Sequence, residues 1–137
     1  MQRRLALAKD SATDTEWVGA GAGSVHPIQH VIYASTQCVT AYAAWEGDRG
    51  SEALRTWWNA AEAYYEAAKA AVEQAKTLPA SKSDILYTLQ DARDEAFEEM
   101  AAIIDRLQEA CAAVTDAAAR AEEDERDDIS EDPTILL

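Results

Sequence analysis

Basic residues are scarce in this sequence. Twelve Lys and Arg face 26 Asp and Glu, for a formal net charge of −14. A nucleic-acid-binding surface needs clustered cations to displace counterions from phosphates, so direct binding of DNA or RNA is not expected. Only two cysteines, Cys38 and Cys111, are present. That is too few for a disulfide scaffold, and both fall inside apolar stripes that read as core. The two histidines, His26 and His30, straddle Pro27 without an HExxH or CxxC partner, so they read as structural or surface residues. No metal or cofactor is expected. No apolar run reaches membrane-span length. No secretory leader is visible after Arg3 and Arg4, which points to a cytoplasmic protein without a membrane partner. The five glycines and three prolines serve as punctuation. Gly19, Gly21 and Gly23 lie in a GAGAG stretch that lacks the frame of a phosphate-binding loop and reads as a spacer.

Alanine is what the chain has in quantity. Thirty of its 137 residues are alanine, against 22 Leu, Ile and Val and ten aromatics. Alanine favours helix over strand. The composition therefore predicts an all-α protein with a thin, closely packed core. Residues 1–26 read as an N-terminal arm and Gly-rich loop, the arm anchored weakly by Leu5 and Leu7. Residues 27–121 read as an antiparallel bundle of three main helices, and 122–137 as a disordered acidic tail.

The first main helix is expected from Pro27, since proline suits the first helical position. Its stripe is Ile28, Val31, Ser35, Cys38, Tyr42 and Trp45, widened by Ile32 and Val39, and the glycines of WEGDRG stop it. The second is expected from Ser51 to Leu78, ended by Pro79. It carries Leu54, Ala61, Ala68, Val72 and Ala75, with one member each of Trp57/Trp58 and Tyr64/Tyr65 facing inward. The other member of each pair is free to anchor a partner.

The third helix has a cap at Ser81 or Ser83 and no Gly or Pro from Asp84 to Arg120. Its expected stripe is Leu86, Leu89, Ala96, Met100, Ile103, Leu107, Ala110, Val114 and Ala117, with Phe97, Ile104 and Cys111 beside it. At 1.5 Å per residue it spans roughly 55 Å, against about 27 Å for the first helix. Such a mismatch predicts overhang, bending, or packing on another chain, a homodimer included.

Charge is unevenly placed. Residues 1–83 hold nine acids and eight bases; residues 84–132 hold 17 acids and four bases. Asp84, Asp91, Glu98 and Asp105 recur at seven-residue intervals, about 10.5 Å of rise each. Asp94, Glu95, Glu109 and Asp116 lie near that line. A one-signed face of this kind steers association with a basic surface. Together with Trp57, Trp58, Tyr64 and Tyr65, these eight acids form the expected partner-binding set.

The pattern predicts a non-enzymatic inhibitor of a basic nucleic-acid-handling protein. Its carboxylates would imitate phosphates, as in an anti-CRISPR or another regulatory inhibitor. An immunity protein or antitoxin against a basic toxin satisfies the same charge pattern, and a structural coiled-coil module satisfies the periodicity. In addition, WEG at 45–47 and the YxxxD formed by Tyr87 and Asp91 resemble the small WXG-type secreted helical hairpins. That resemblance implies a two-helix hairpin over roughly 28–91 and a secretion signal at the tyrosine–acid motif. Pro79 and the SKSD cap depart from it by placing Tyr87 in a new helix.

Overall fold

The computed structural model describes the backbone of residues 1–11 and 26–130, and the side chains of 1–10 and 26–123. Four α-helices occur among them: α1 (Gln2–Ser11), α2 (Pro27–Asp48), α3 (Ser51–Ala75) and α4 (Ser83–Ser130). No strand is present among the described residues. The Gly-rich spacer expected before Pro27 lies outside them. The protein is all-α, an antiparallel bundle, as its alanine content and three–four periodicity predict. It divides into two compact units, Met1–Ile103 and Ile104–Leu137.

In the first unit, α2 begins at Pro27 as expected. His26 caps it, its Nδ1 accepting from the Ile28 N–H at 3.1 Å. The α2–α3 turn is tight. Arg49 takes φ 58°, the left-handed conformation usual just past a helix C-terminus, and its N–H donates to the Trp45 carbonyl at 2.6 Å. Its guanidinium lies 4.6 Å from the centre of the Trp45 ring, and this cation–π contact offsets part of the cost of a left-handed non-glycine residue. Helix α3 stops at Ala75, three residues short of the expected Leu78. Thr77 and Leu78 instead donate 3-10-type bonds to Gln74 and Ala75, because Pro79 restricts the residue before it and cannot continue the helical ladder. One 3-10 turn, Ala80–Lys82, leads into α4 at Ser83.

Among the described residues, ten of the 22 buried apolar ones are alanine. Small side chains let helix backbones approach closely, so a core poor in branched residues still fills. The bulk comes from Trp57, Tyr64, Leu5, Ile28, Ile85, Leu89 and Ile103, all less than 3 % exposed. Each contributes about 1.5–3 kcal/mol by leaving water. Leu5 and Ala8 seat α1 against α2, so the arm is a docked helix. Leu7 is 62 % exposed and is no anchor.

Several stripe positions differ from expectation. Tyr42 and Val39 are exposed, while Ala34 and Ala41 take the inner positions of α2. Trp57 and Tyr64 are the inward members of their pairs, and Trp58 and Tyr65 are half-buried. On α4 the inner face is Ile85, Leu89, Ala92, Ala96 and Ile103, so it lies one residue before Leu86 at its start. Leu107 and Val114, expected in the same stripe, are exposed.

In the second unit every described side chain from Ile104 to Glu123 is exposed. Its backbone is helical to Ser130. The helix thus extends through most of the acidic stretch, and the remainder of the expected disordered tail lies outside the described residues. No helix among the described residues is long and apolar enough to cross a membrane.

Candidate protein-binding face

The acids of α4 divide into two groups with different uses. Three act inside the first unit. Trp57 is buried with its indole N–H directed at α4, where it donates to Glu99 Oε2 at 3.0 Å. Two turns further along α3 and one turn back along α4, the Tyr64 hydroxyl donates to Glu95 Oε2 at 3.0 Å. On the other side, Arg4 of α1 pairs with Asp91 at 2.8 Å. A buried indole or phenol needs a partner for its polar atom, and a half-buried carboxylate supplies it.

Burial raises the Glu99 pKa, and the nearby Glu95 charge adds to this; the Trp57 hydrogen bond works in the opposite direction. Burial, followed by the Glu95 charge, likewise raises the Tyr64 phenol. The Cys38 thiol is pushed up to about 12, by burial first and then by the Glu99 charge. A thiol so protonated is a core residue and not a nucleophile.

Within the expected partner-binding set, Trp57 and Tyr64 are buried in the core. Asp91 and Glu95 serve α1 and α3, which a heptad count along α4 alone could not reveal. Asp84 is exposed in the first turn of α4, where a carboxylate complements the helix dipole. Asp94 is exposed beside Arg93 at 3.5 Å. Glu98, Asp105, Glu109 and Asp116 are exposed. Among the described residues Asp105 and Asp116 form no ion pair, and Glu109 is paired loosely with Arg106 at 3.4 Å.

Tyr65 packs near the 60 %-exposed Phe97, ring centres 6.4 Å apart, and Trp58 lies partly against the core. Phe97, Tyr33 and Tyr87 are exposed aromatics that the expected set omitted. Phe97 was legible as part of the line beside the main stripe; Tyr33 and Tyr87 carried no periodic signal. Between α1 and the start of α4 lies an open depression of about 260 Å³, lined by Arg4, Leu7, Ala8, Asp84, Ile85 and Thr88. Among the described residues no three His, Cys, Asp or Glu side chains converge as a metal site.

The WEG segment lies inside the C-terminal end of α2, with Trp45 buried and Gly47 exposed, and Arg49 and Gly50 make the connection to α3. Tyr87 and Asp91 lie in α4, and Asp91 is paired with Arg4. Comparisons with protein-family models, with curated proteins and with solved structures found no match for this chain.

Proposed function

We propose that this chain is a non-enzymatic binding protein whose acidic α4 face docks on the basic, nucleic-acid-binding surface of another protein and inhibits it by occupying the place of phosphates. The observation that carries the reading is the exposure of every described side chain from Ile104 to Glu123, with Asp105, Glu109, Asp116 and Glu123 following one another along a single helix face. These four acids stabilise no helix packing, unlike Asp91, Glu95 and Glu99. An ordinary solvated helix gains from alternating i,i+4 charges. Here Asp116 and Arg120, at that spacing, form no ion pair among the described residues. Carboxylates held on a rigid helix meet a Lys/Arg-rich cleft without ordering cost, which speeds encounter and selects the partner.

The test is charge reversal where the fold does not depend on it. Asp105→Lys, Glu109→Lys and Asp116→Lys together should leave bundle stability intact. They should weaken binding to the partner recovered from source cells and flatten its salt dependence. Duplex DNA or RNA should compete with the unaltered chain for that partner. A partner that binds reversed and native chains equally well would refute the reading. A partner held through the same acids but indifferent to nucleic acid would replace phosphate mimicry with neutralisation of a basic toxin.

A further inference from the structure

Helix α1 lies along part of a crevice between α2 and α4. It meets α2 through the Gln2–Thr36 and Lys9–Gln29 hydrogen bonds, and α4 through the Arg4–Asp91 pair. Leu5 and Ala8 are its buried side chains. With 10 residues against 22 in α2, it covers about 15 Å of a helix about 33 Å long. Gln2 stands beside Thr36, and among the described residues no helix continues α1 past that point. Roughly three turns of α2, residues 37–48, extend beyond it.

Both walls of the crevice carry on past α1. On α2, the side that bears Ile32 and Thr36 continues in three–four steps to Val39 and Ala43, which are exposed. On α4, Asp84, Thr88 and Asp91 face α1, and the same steps lead to Glu95, Glu99 and Ala102, all half-buried. Glu95 and Glu99 lie near α2 as well, since both charges act on the Cys38 thiol.

The two carboxylates have neutral partners only. Glu95 accepts from the Tyr64 hydroxyl and Glu99 from the Trp57 indole. Among the described residues neither forms an ion pair. Charge withdrawn from water without a counter-ion is costly. Burial raises the Glu99 pKa, and the Glu95 charge adds to this against the Trp57 hydrogen bond. One turn back, Asp91 is matched by Arg4, from a helix that buries Leu5 beside it.

We propose that Val39, Ala43, Glu95, Glu99 and Ala102 seat a basic amphipathic helix of a partner protein, in line with α1. Its apolar side chains rest on Val39 and Ala102, and an Arg or Lys lies between the two carboxylates. Charge selects this occupant. Residues 12–25 and 131–137, outside the described backbone, hold four acids and no base. A second copy brings a net charge of −14, and its basic helix α1 is docked on its own α4. The seat shares no residue with the face of Asp105, Glu109 and Asp116, so it does not rest on the function proposed above.

The probe is a stapled helical peptide of about twelve residues, the length of three turns, with arginine beside each inward leucine as in α1. Titrated into the full chain, it should shift the Trp57 indole N–H and Val39 methyl resonances saturably, because the cation meets the acceptor of that N–H. Glu95→Gln with Glu99→Gln keeps both hydrogen-bond acceptors and removes the charge. Affinity should fall about tenfold or more, the loss of a charged hydrogen bond. Val39→Glu, at a 61 %-exposed position outside the core, should weaken binding without touching the bundle's melting. Asp105→Lys, Glu109→Lys and Asp116→Lys together should leave it within about twofold at physiological salt, which separates this seat from the outer α4 face. A peptide that shifts neither resonance, or that binds the Gln and Val39→Glu variants as tightly as the native chain, overturns the proposal. Overhauser contacts from Val39 to Trp17 or Val18 in the chain alone would give the seat to its own segment. Val39 shifts that vary with chain concentration would give it to a second copy. Either result also overturns the proposal.

Discussion

Trp57→Phe isolates the contact that fastens α3 to α4. The substitution keeps a buried aromatic ring and deletes the N–H that Glu99 accepts at 3.0 Å. Contraction of the side chain costs about 1 kcal/mol through the space left behind. Loss of a hydrogen bond to a charged acceptor adds about 1.5–3 kcal/mol at neutral pH, so the sum is near 3 kcal/mol. The two parts differ in pH dependence. Glu99 has a raised folded pKa, from burial first and then Glu95, so its ionisation opposes folding. The stability it contributes is full below the unfolded carboxylate pKa and is lost as pH rises through the folded one. The indole N–H limits that loss by favouring the charged form. Without it, Trp57→Phe should cost most where Glu99 is ionised and less as the carboxyl protonates. The cavity part should not change. Urea unfolding followed by far-ultraviolet dichroism, at neutral pH and at an acid pH where the carboxyl is protonated, tests this, with Glu99→Gln and the double variant closing a thermodynamic cycle. A coupling energy of zero, or a destabilisation equal at both pH values, would refute the assignment.

Other perturbations follow from the same geometry. Ile103→Ala should cost about 2–5 kcal/mol, whereas Leu107→Ala, four residues on and 46 % exposed, should leave bundle unfolding within about 0.5 kcal/mol of native; equal losses would place the end of the core elsewhere. A disulfide reagent at neutral pH should modify Cys111 promptly and Cys38 only on unfolding, given a buried thiol with its pKa near 12; two fast thiols would show that the α2–α3 seam opens readily. Arg49→Gly relieves a left-handed residue, worth about 1–2 kcal/mol, and loses a cation–π contact worth about 0.5–1 kcal/mol. Thermal melting should therefore show a small net gain, and a clear loss would mean that the guanidinium on Trp45 outweighs the backbone.

Helix number, turns and class were legible because they rest on local chemistry. Pro27 at a helix start, the glycines near the α2–α3 turn, Pro79 before the helix start at Ser83 and the alanine excess each act within a few residues. The inner face of α3 was readable to within one residue, since Trp57/Trp58 and Tyr64/Tyr65 double the apolar arc. Which member turns inward depends on α4 lying where Glu99 and Glu95 can receive Trp57 and Tyr64. Likewise, Val39 carried the hydrophobicity of a core residue but is exposed, and Tyr42 sits at the core margin with its ring 4.9 Å from that of Trp57.

Sequence alone determined that the chain is helical, that its negative charge is concentrated after residue 83, and that one long helix has no internal stop. These properties are sums over neighbouring residues, and neighbours in sequence are all they need. Tertiary structure decided which carboxylates hold helices together and which remain exposed. Asp91, Glu95 and Glu98 look alike along one helix. They differ only because Arg4 and Tyr64, 87 and 31 residues away, come within hydrogen-bonding distance of the first two. Tertiary structure also decided that burial on α4 ends at Ile103, although apolar periodicity runs on past it. Periodicity records that a face could be covered, and burial requires another helix to be there.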